Sequence, residues 1–260
     1  DIRHMTQADL GVAVDWAATE GWNPGLHDAA CYYQADPQGF LMGLRDGMPI
    51  ATLSAVRYND HFGFMGFYIV KPGFRARGFG WRLCQAGLQH LAGCTVGLDG
   101  VVAQQANYQK FGFALTYRNI RYGGVTLGPA PLGPGLVPLR ELPWTQIAAY
   151  DQPFFPAPRP AFLKAWLGQA DSHGLGFVVD GVLLGYGLIR RCREGYKIAP
   201  LQANSPAVAE ALFTALCGLV PLASKVFLDT PAVNPSAVAL AERHGMTLAF
   251  ETARMYRGPA

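Results

Sequence analysis

Apolar and polar positions divide the chain into short blocks of two kinds. From Phe62 to Val70 the residues run on without a charge, the pattern of a strand buried on both faces, and Pro72 stops it. Trp81 to Leu91 carries Cys84, Leu88 and Leu91 on one helical stripe and reads as a helix. Asp46-Gly47 precedes Met48–Arg57, and Asp180-Gly181 precedes Val182–Arg191; each pair reads as a hairpin turn entering a strand. Ile2–Met5, Thr95–Asp99 and Leu136–Leu139 are further strands, and Thr6 and Asp9 stand where the first helix needs caps. Strands interleaved with helices predict an α/β or α+β sandwich rather than a helical bundle.

Gly123–Pro138 is uncharged, rich in glycine and proline, and without helical period, so it reads as a linker. Its place near mid-chain prompts a comparison of the two sides. Gly112–Tyr122 and Gly245–Met255 align at a separation of 133 residues, matching Leu115 with Leu248, Tyr117 with Phe250 and Arg121 with Arg254. The two Asp-Gly turns and the pairs Leu98-Asp99 and Leu228-Asp229 match in the same order. This indicates a duplication, with domains at 1–124 and 136–260 joined by 125–135.

Composition narrows the class. Charged residues are 15% of the 260, against about 25% in typical domains, and half the chain is apolar. Disorder and coiled coil are excluded, and a net charge of +3 gives no reason to expect nucleic acid or a membrane as partner. The five cysteines (Cys31, Cys84, Cys94, Cys192, Cys217) form no CxxC pair and read as buried free thiols. Ala211–Ser224 is too short to span a bilayer, and Asp1–Leu10 lacks the apolar core of a signal sequence, so a cytoplasmic location is expected. No cluster has metal-ligand spacing, so no metal is expected.

The chemistry-bearing segment follows the Phe62–Val70 strand. Arg75-Ala76-Arg77-Gly78-Phe79-Gly80 is a short glycine loop leading into the Trp81 helix. Unpaired N–H groups at such a helix start favour an anion, glycines let backbone approach phosphate oxygens, and Arg75 and Arg77 add charge. Taken alone, the loop is equally a surface turn with two solvated arginines. The chain has no Gly-Lys dipeptide and hence no Walker loop, and Leu83 stands where a dinucleotide fingerprint needs its third glycine.

Tyr108-Gln109-Lys110-Phe111-Gly112-Phe113 resolves the choice. Together with Val70-Lys71-Pro72 and the RxxGxG of Arg75–Gly80, it resembles the GCN5-related N-acetyltransferase (GNAT) family, across roughly the first half of the chain. The resemblance implies two tandem mixed-sheet GNAT-like domains with helices on both faces. It implies acetyl-CoA as cosubstrate, its pyrophosphate on Arg75, Ala76, Arg77, Gly78, Phe79, Gly80 and Trp81. It places the pantetheine along the strand end at Phe67, Tyr68, Ile69 and Val70, with an N–H near Ile69 or Val70 polarising the thioester carbonyl. Tyr108 would protonate the departing thiolate. Val101 departs from the asparagine that the family often has seven residues before the tyrosine.

In the second half Asn234–Met246 resembles the same helix, but Ala241 holds the tyrosine position, and Leu201–Leu212 has neither glycine nor arginine. That half is expected to be a degenerate copy. For the acceptor, candidate bases are Glu20, Asp28, Asp60, His61 and Asp99. Glu20 is assigned the catalytic role beside Tyr108. Trp22 and Asn23, in the region that lines the acceptor cleft in the family, are assigned to substrate. The expected reaction is acetyl transfer to a primary amine, on a small molecule rather than a protein. The alternatives are a non-catalytic acyl-CoA-binding sensor or interaction module, and a transferase using a longer acyl donor.

Overall fold

The computed structural model describes residues 1–126, 128–129 and 132–258. Positions 127, 130 and 131 of the expected linker, and positions 259 and 260, lie outside the described residues. The chain forms two compact units. Unit 1 is Asp1–Thr116, Ala157–Ala165 and Ala253–Ala260; unit 2 is Tyr117–Pro156 and Trp166–Thr252. Neither unit is one contiguous stretch of sequence: residues 157–165 and the end of the last strand from 253 belong to unit 1, and unit 2 begins at Tyr117, ahead of the mid-chain linker.

Unit 1 begins with β1 (Ile2–His4), α1 (Asp9–Thr19) and α2 (Asp28–Tyr33). Thr6 and Asp9 cap α1 reciprocally: the Thr6 N–H donates to Asp9 Oδ2 at 2.8 Å and the Asp9 N–H to Thr6 Oγ1 at 3.2 Å. The strands β2 (Phe40–Arg45), β3 (Met48–Arg57) and β4 (Phe62–Val70) form an antiparallel meander, with the first hairpin turning at Asp46-Gly47 as expected. Helix α3 (Phe79–His90) then returns the chain to β5 (Thr95–Val101), which runs parallel to β4. Helix α4 (Gln105–Lys110) follows, and the 253–257 end of β12 (Thr247–Arg257) lies next to β5. Leu53, Ala55, Leu83 and Cys84 pack with Ala253 and Met255, both wholly buried, in one apolar core.

Unit 2 repeats the plan. Its strands run in the order β6 (Ala114–Val125), β11 (Lys225–Pro231), β10 (Tyr196–Ala203), β9 (Val182–Arg191), β8 (Ser172–Val179) and β7 (Leu136–Pro138). Helices α5 (Trp144–Asp151), α7 (Pro206–Gly218) and α8 (Pro235–Arg243) complete it, and α6 (Pro160–Leu167) begins within unit 1. Parallel β10 and β11 occupy the places of β4 and β5, around a core that includes Ile189, Ile198, Leu212, Leu216 and Leu228. All five cysteines are buried, and none forms a disulfide. No helix among the described residues is long and apolar enough to cross a membrane.

Candidate functional site

The site is built where β4 and β5 part. Their parallel pairing runs from Phe62↔Thr95 to Met65↔Leu98 and stops there. On its other side β4 stays paired with β3 as far as Ala51↔Val70, with a register shift between Thr52 and Ser54. At that shift Phe67 takes φ 46°, and Thr52 Oγ1 donates to the Phe67 carbonyl at 2.8 Å. The bulge bends β4 away from β5. Phe67, Tyr68, Ile69 and Val70 thus lie on a strand end that β5 does not pair.

The loop after β4 ends at the start of α3. Pro72–Phe74 forms a 3-10 turn, Ala76 and Gly78 take φ 58° and 81°, and Gly78 is the N-cap. No side chain caps α3, so its first N–H groups face outward. Gly80 is a point of close approach: a Cβ there would stand 2.6 Å from the Tyr68 hydroxyl oxygen and 3.1 Å from a Val70 methyl, so that Tyr68 would have to shift. The two arginines do different things. Arg75 Nε donates to the Val70 carbonyl at 2.8 Å, and its guanidinium ion-pairs with Glu20. Arg77 is exposed and lies over the Phe74 and Phe79 rings at 5.8 and 5.6 Å. Trp81, also exposed, stacks on Phe111 with centroids 4.1 Å apart.

Tyr108 reaches the same place from α4. That helix ends in a Schellman motif: Gly112, at φ 84°, donates to the Gln109 carbonyl at 2.9 Å, and the Phe113 N–H donates to the Tyr108 carbonyl at 3.3 Å. The Lys-Phe-Gly-Phe spacing is therefore cap chemistry, and it fixes Tyr108 one turn back from the helix end. The Tyr108 ring lies against Gly100 of β5, where any Cβ would overlap it. Its centroid is 6.3 Å from that of Tyr68. Burial, and secondarily Cys84, pushes the Tyr108 hydroxyl up to about 12, so it keeps its proton at neutral pH.

Tyr108, Phe67, Tyr68 and Trp22 line one cavity of about 280 Å³, together with Tyr32, Phe40, Tyr58, Phe64, Cys84, Asp99 and Phe162. The structure thus brings Trp22 to Tyr108. Glu20 and Asn23 are not among the described lining residues. Glu20 instead caps the end of α1 and holds Arg75; Asn23 sits in the following loop at φ 50°. Asp28 is buried, accepting from the Gly25 N–H at 2.8 Å and the Tyr32 hydroxyl at 3.4 Å. Asp60 and His61 form the β3–β4 turn, where Asn59 Oδ1 accepts from the His61 and Phe62 N–H groups. Asp99 does line the cavity, held by both arms of Arg254 at 2.7 Å. Sequence reasoning did not find Tyr32, Tyr58 or Phe162. Phe162 comes from α6, past the expected linker, and stacks on Tyr32 at 6.2 Å; no local pattern marks it.

Unit 2 shows what the same frame looks like without these features. Pairing of β10 with β11 also stops early, at Ile198↔Leu228. Pro200, at the same 133-residue separation from Phe67, has no N–H to offer. Helix α7 starts on Ser205, whose side chain accepts from the Val208 N–H, with Pro206 following, so its N-terminus is capped by its own residues. Helix α8 ends in the same Schellman motif, Met246 N–H to the Ala241 carbonyl at 3.1 Å, which puts Ala241 at the position of Tyr108. Asp229 accepts from Arg121 at 2.7 and 2.9 Å, as Asp99 does from Arg254. Burial, followed by Arg121, pushes the nearby Lys197 ammonium down to about 8. Among the described residues no group of three or more His, Cys, Asp or Glu could hold a metal.

The family models that match carry the descriptions acetyltransferase (GNAT) family, over residues 9–113, and acetyltransferase (GNAT) domain, over residues 147–260. The chain is 34% identical over 247 residues to the holothin acyltransferase of Pseudoalteromonas sp. (strain SANK 73390), covering 94% of this chain and 83% of that protein. A protein described as an acetyltransferase from Pyrococcus horikoshii has the same fold at TM-score 0.81 and 23% identity, covering all of this chain and 89% of that one. A tandem GNAT protein from the clavulanic acid biosynthesis pathway matches at TM-score 0.67 and 12% identity, covering all of this chain and 99% of that one.

Proposed function

Because this chain belongs to the GNAT family, as a tandem pair of GNAT domains and an acyltransferase, we propose that unit 1 transfers an acetyl group from acetyl-CoA to a primary amine. The observation that carries this reading is the difference between the two helix starts. The α3 start is uncapped and follows a glycine loop; the α7 start is closed by Ser205 and Pro206.

Acetyl-CoA supplies an activated acyl group on sulfur. The N–H groups at the start of α3, and the exposed Arg77, would hold its pyrophosphate. Arg75 positions that loop by tying it to Val70 and Glu20. The Phe67–Val70 strand end would take the pantetheine as a partial strand, with its N–H groups also available to a developing oxyanion. Tyr108 holds a proton for the departing sulfur. Glu20, occupied by Arg75, is less suited to remove a proton from the amine than its place in the sequence led us to expect. The size of the cavity and its ring-lined walls support a small-molecule acceptor. The name of the Pseudoalteromonas relative makes holothin the first acceptor to try, and longer acyl-CoA donors belong in the same panel.

Gly80→Glu tests the site. It places a bulky anion against Tyr68 in the cradle, and the Kd for acetyl-CoA, measured by calorimetry, is expected to rise at least tenfold. An unchanged Kd in a folded variant would overturn the assignment. Tight acetyl-CoA binding by the unaltered protein, without thiol release for any amine, would favour the sensor reading.

A further inference from the structure

We infer that the Ser54 hydroxyl is a hydrogen-bonding subsite that seats the acceptor in the cavity beside Tyr108, and that it sets which acceptors are preferred. This rests on the transfer reading above and adds to it a specificity residue on β3.

Ser54 stands at the last regular rung before the bulge. Its partner on β4 is Gly66, and the next pair is Thr52↔Ile69. Ser54, Gly66, Phe67 and Tyr108 all line the cavity. Cross-strand partners share a face of the sheet, so Ser54 and Gly66 lie side by side on the cavity floor. The Phe67–Val70 strand end, where the thioester would lie, begins one residue after Gly66. Gly66 leaves the hydroxyl open. A Cβ there would stand 3.1 Å from Ser54 Oγ and, among the described residues beyond its chain neighbours, would meet nothing else within 4 Å.

Thr52, two residues away, shows what a buried hydroxyl on β3 ordinarily does. It is wholly buried and donates to the Phe67 carbonyl at 2.8 Å. Ser54 is 6% exposed, and among the described residues nothing hydrogen-bonds its Oγ. A buried hydroxyl left without a partner is destabilising, and alanine at this position would avoid that cost. A ligand atom in the cavity removes it, because the hydroxyl can donate to a carbonyl or accept from an N–H. Three other polar side chains of the cavity are already engaged. Arg254 holds Asp99, Tyr32 donates to Asp28, and the Tyr108 proton is reserved for sulfur.

The second copy gives an independent comparison. At the 134-residue separation of the two Asp-Gly turns, Ser54 corresponds to Leu188 on β9. Leu188 is wholly buried. The frame therefore accepts an apolar side chain at this rung, and strand pairing does not call for a hydroxyl. Serine stands in the unit that has Tyr108 and the open α3 start. Leucine stands in the unit that has Ala241 and the closed α7 start.

The test uses the full chain and follows thiol release from acetyl-CoA with holothin, glycinamide, tyramine and spermidine as acceptors. The acceptor with the highest kcat/KM in the unaltered protein serves as the probe. Ser54→Ala is expected to raise KM for the probe about fivefold, the worth of one neutral hydrogen bond, while kcat changes by less than about twofold. The KM for acetyl-CoA and the melting temperature are expected to stay put. Ser54→Ala is also expected to shrink the spread of kcat/KM across the four acceptors, because those that reach the hydroxyl lose more than those that do not. A merely structural role would lower all four alike. An unchanged KM for the probe in a folded Ser54→Ala protein would overturn the inference. So would an equal rise in the KM for acetyl-CoA, or a uniform loss across the panel. Absence of thiol release from the unaltered protein with every acceptor would instead sink the transfer reading on which the inference rests.

Discussion

The Tyr108 hydroxyl keeps its proton because of where its ring lies. Packed against Gly100 and beside Tyr68, it loses water, and the anionic form suffers most. Tyr108→Phe is therefore expected to lower kcat by about a hundredfold, within the usual range for a general acid, without changing the Kd for acetyl-CoA. With the hydroxyl near 12, loss of its proton sets no alkaline fall in rate below about pH 11. A fall near pH 9 that vanishes in Tyr108→Phe would contradict this. Asp99 shows the opposite outcome for a polar residue in the same cavity: two guanidinium contacts commit it to structure. Residue type alone does not separate the two fates. Tyr108 is legible in sequence only because Gly112 and Phe113 fix its place before a helix end. Nothing near Asp99 in sequence announces Arg254.

At the scale of elements, two pieces of local chemistry make the site. One is the bulge in β4, clamped by Thr52, which separates its end from β5. The other is the uncapped start of α3 after Gly78. The glycines in this segment, and the apolar run before it, make the strand, loop and helix readable directly. The bulge is not readable, since Phe67 at φ 46° defies its own backbone preference and is held there by the Thr52 hydroxyl, between the Ser54↔Gly66 and Thr52↔Ile69 pairs. Gly100 is another element-scale requirement. Gly100→Ala would drive a methyl group into the Tyr108 ring, so displacement of Tyr108 is expected to cost about 1–3 kcal/mol of stability by overpacking. Turnover is expected to fall in step with Tyr108→Phe. Wild-type kcat in a destabilised Gly100→Ala protein, followed by denaturant unfolding and steady-state rates, would show that the ring position is not critical.

At the scale of the whole molecule, the duplication was visible as matched strings, but the composition of each unit was not. Arg254 and Arg121 align in the repeat, and so do Asp99 and Asp229. Yet Arg254 pairs with Asp99 and Arg121 with Asp229, each bond joining residues from different sequence halves. Unit 1 accordingly needs residues 253–257, where Ala253 and Met255 are wholly buried. Deleting residues 247–260 is expected to lower the melting temperature of unit 1 by about 10 °C or more and to abolish acetyl-CoA binding, although Phe62–Phe113 stays intact. Retained binding in the shortened chain would show that the last strand is dispensable. The sequence by itself determined the alternation of strands and helices, the glycine loop, the tyrosine before its cap, and the loss of both in the second copy. These are set by local backbone and hydrogen-bonding rules that act within a few residues. Only the tertiary structure decided which strand completes which sheet, that Arg75 and Glu20 hold each other, and that Phe162 walls the cavity with Tyr32. Those outcomes depend on burial and charge pairing between residues distant along the chain, and no short stretch of sequence specifies such partners.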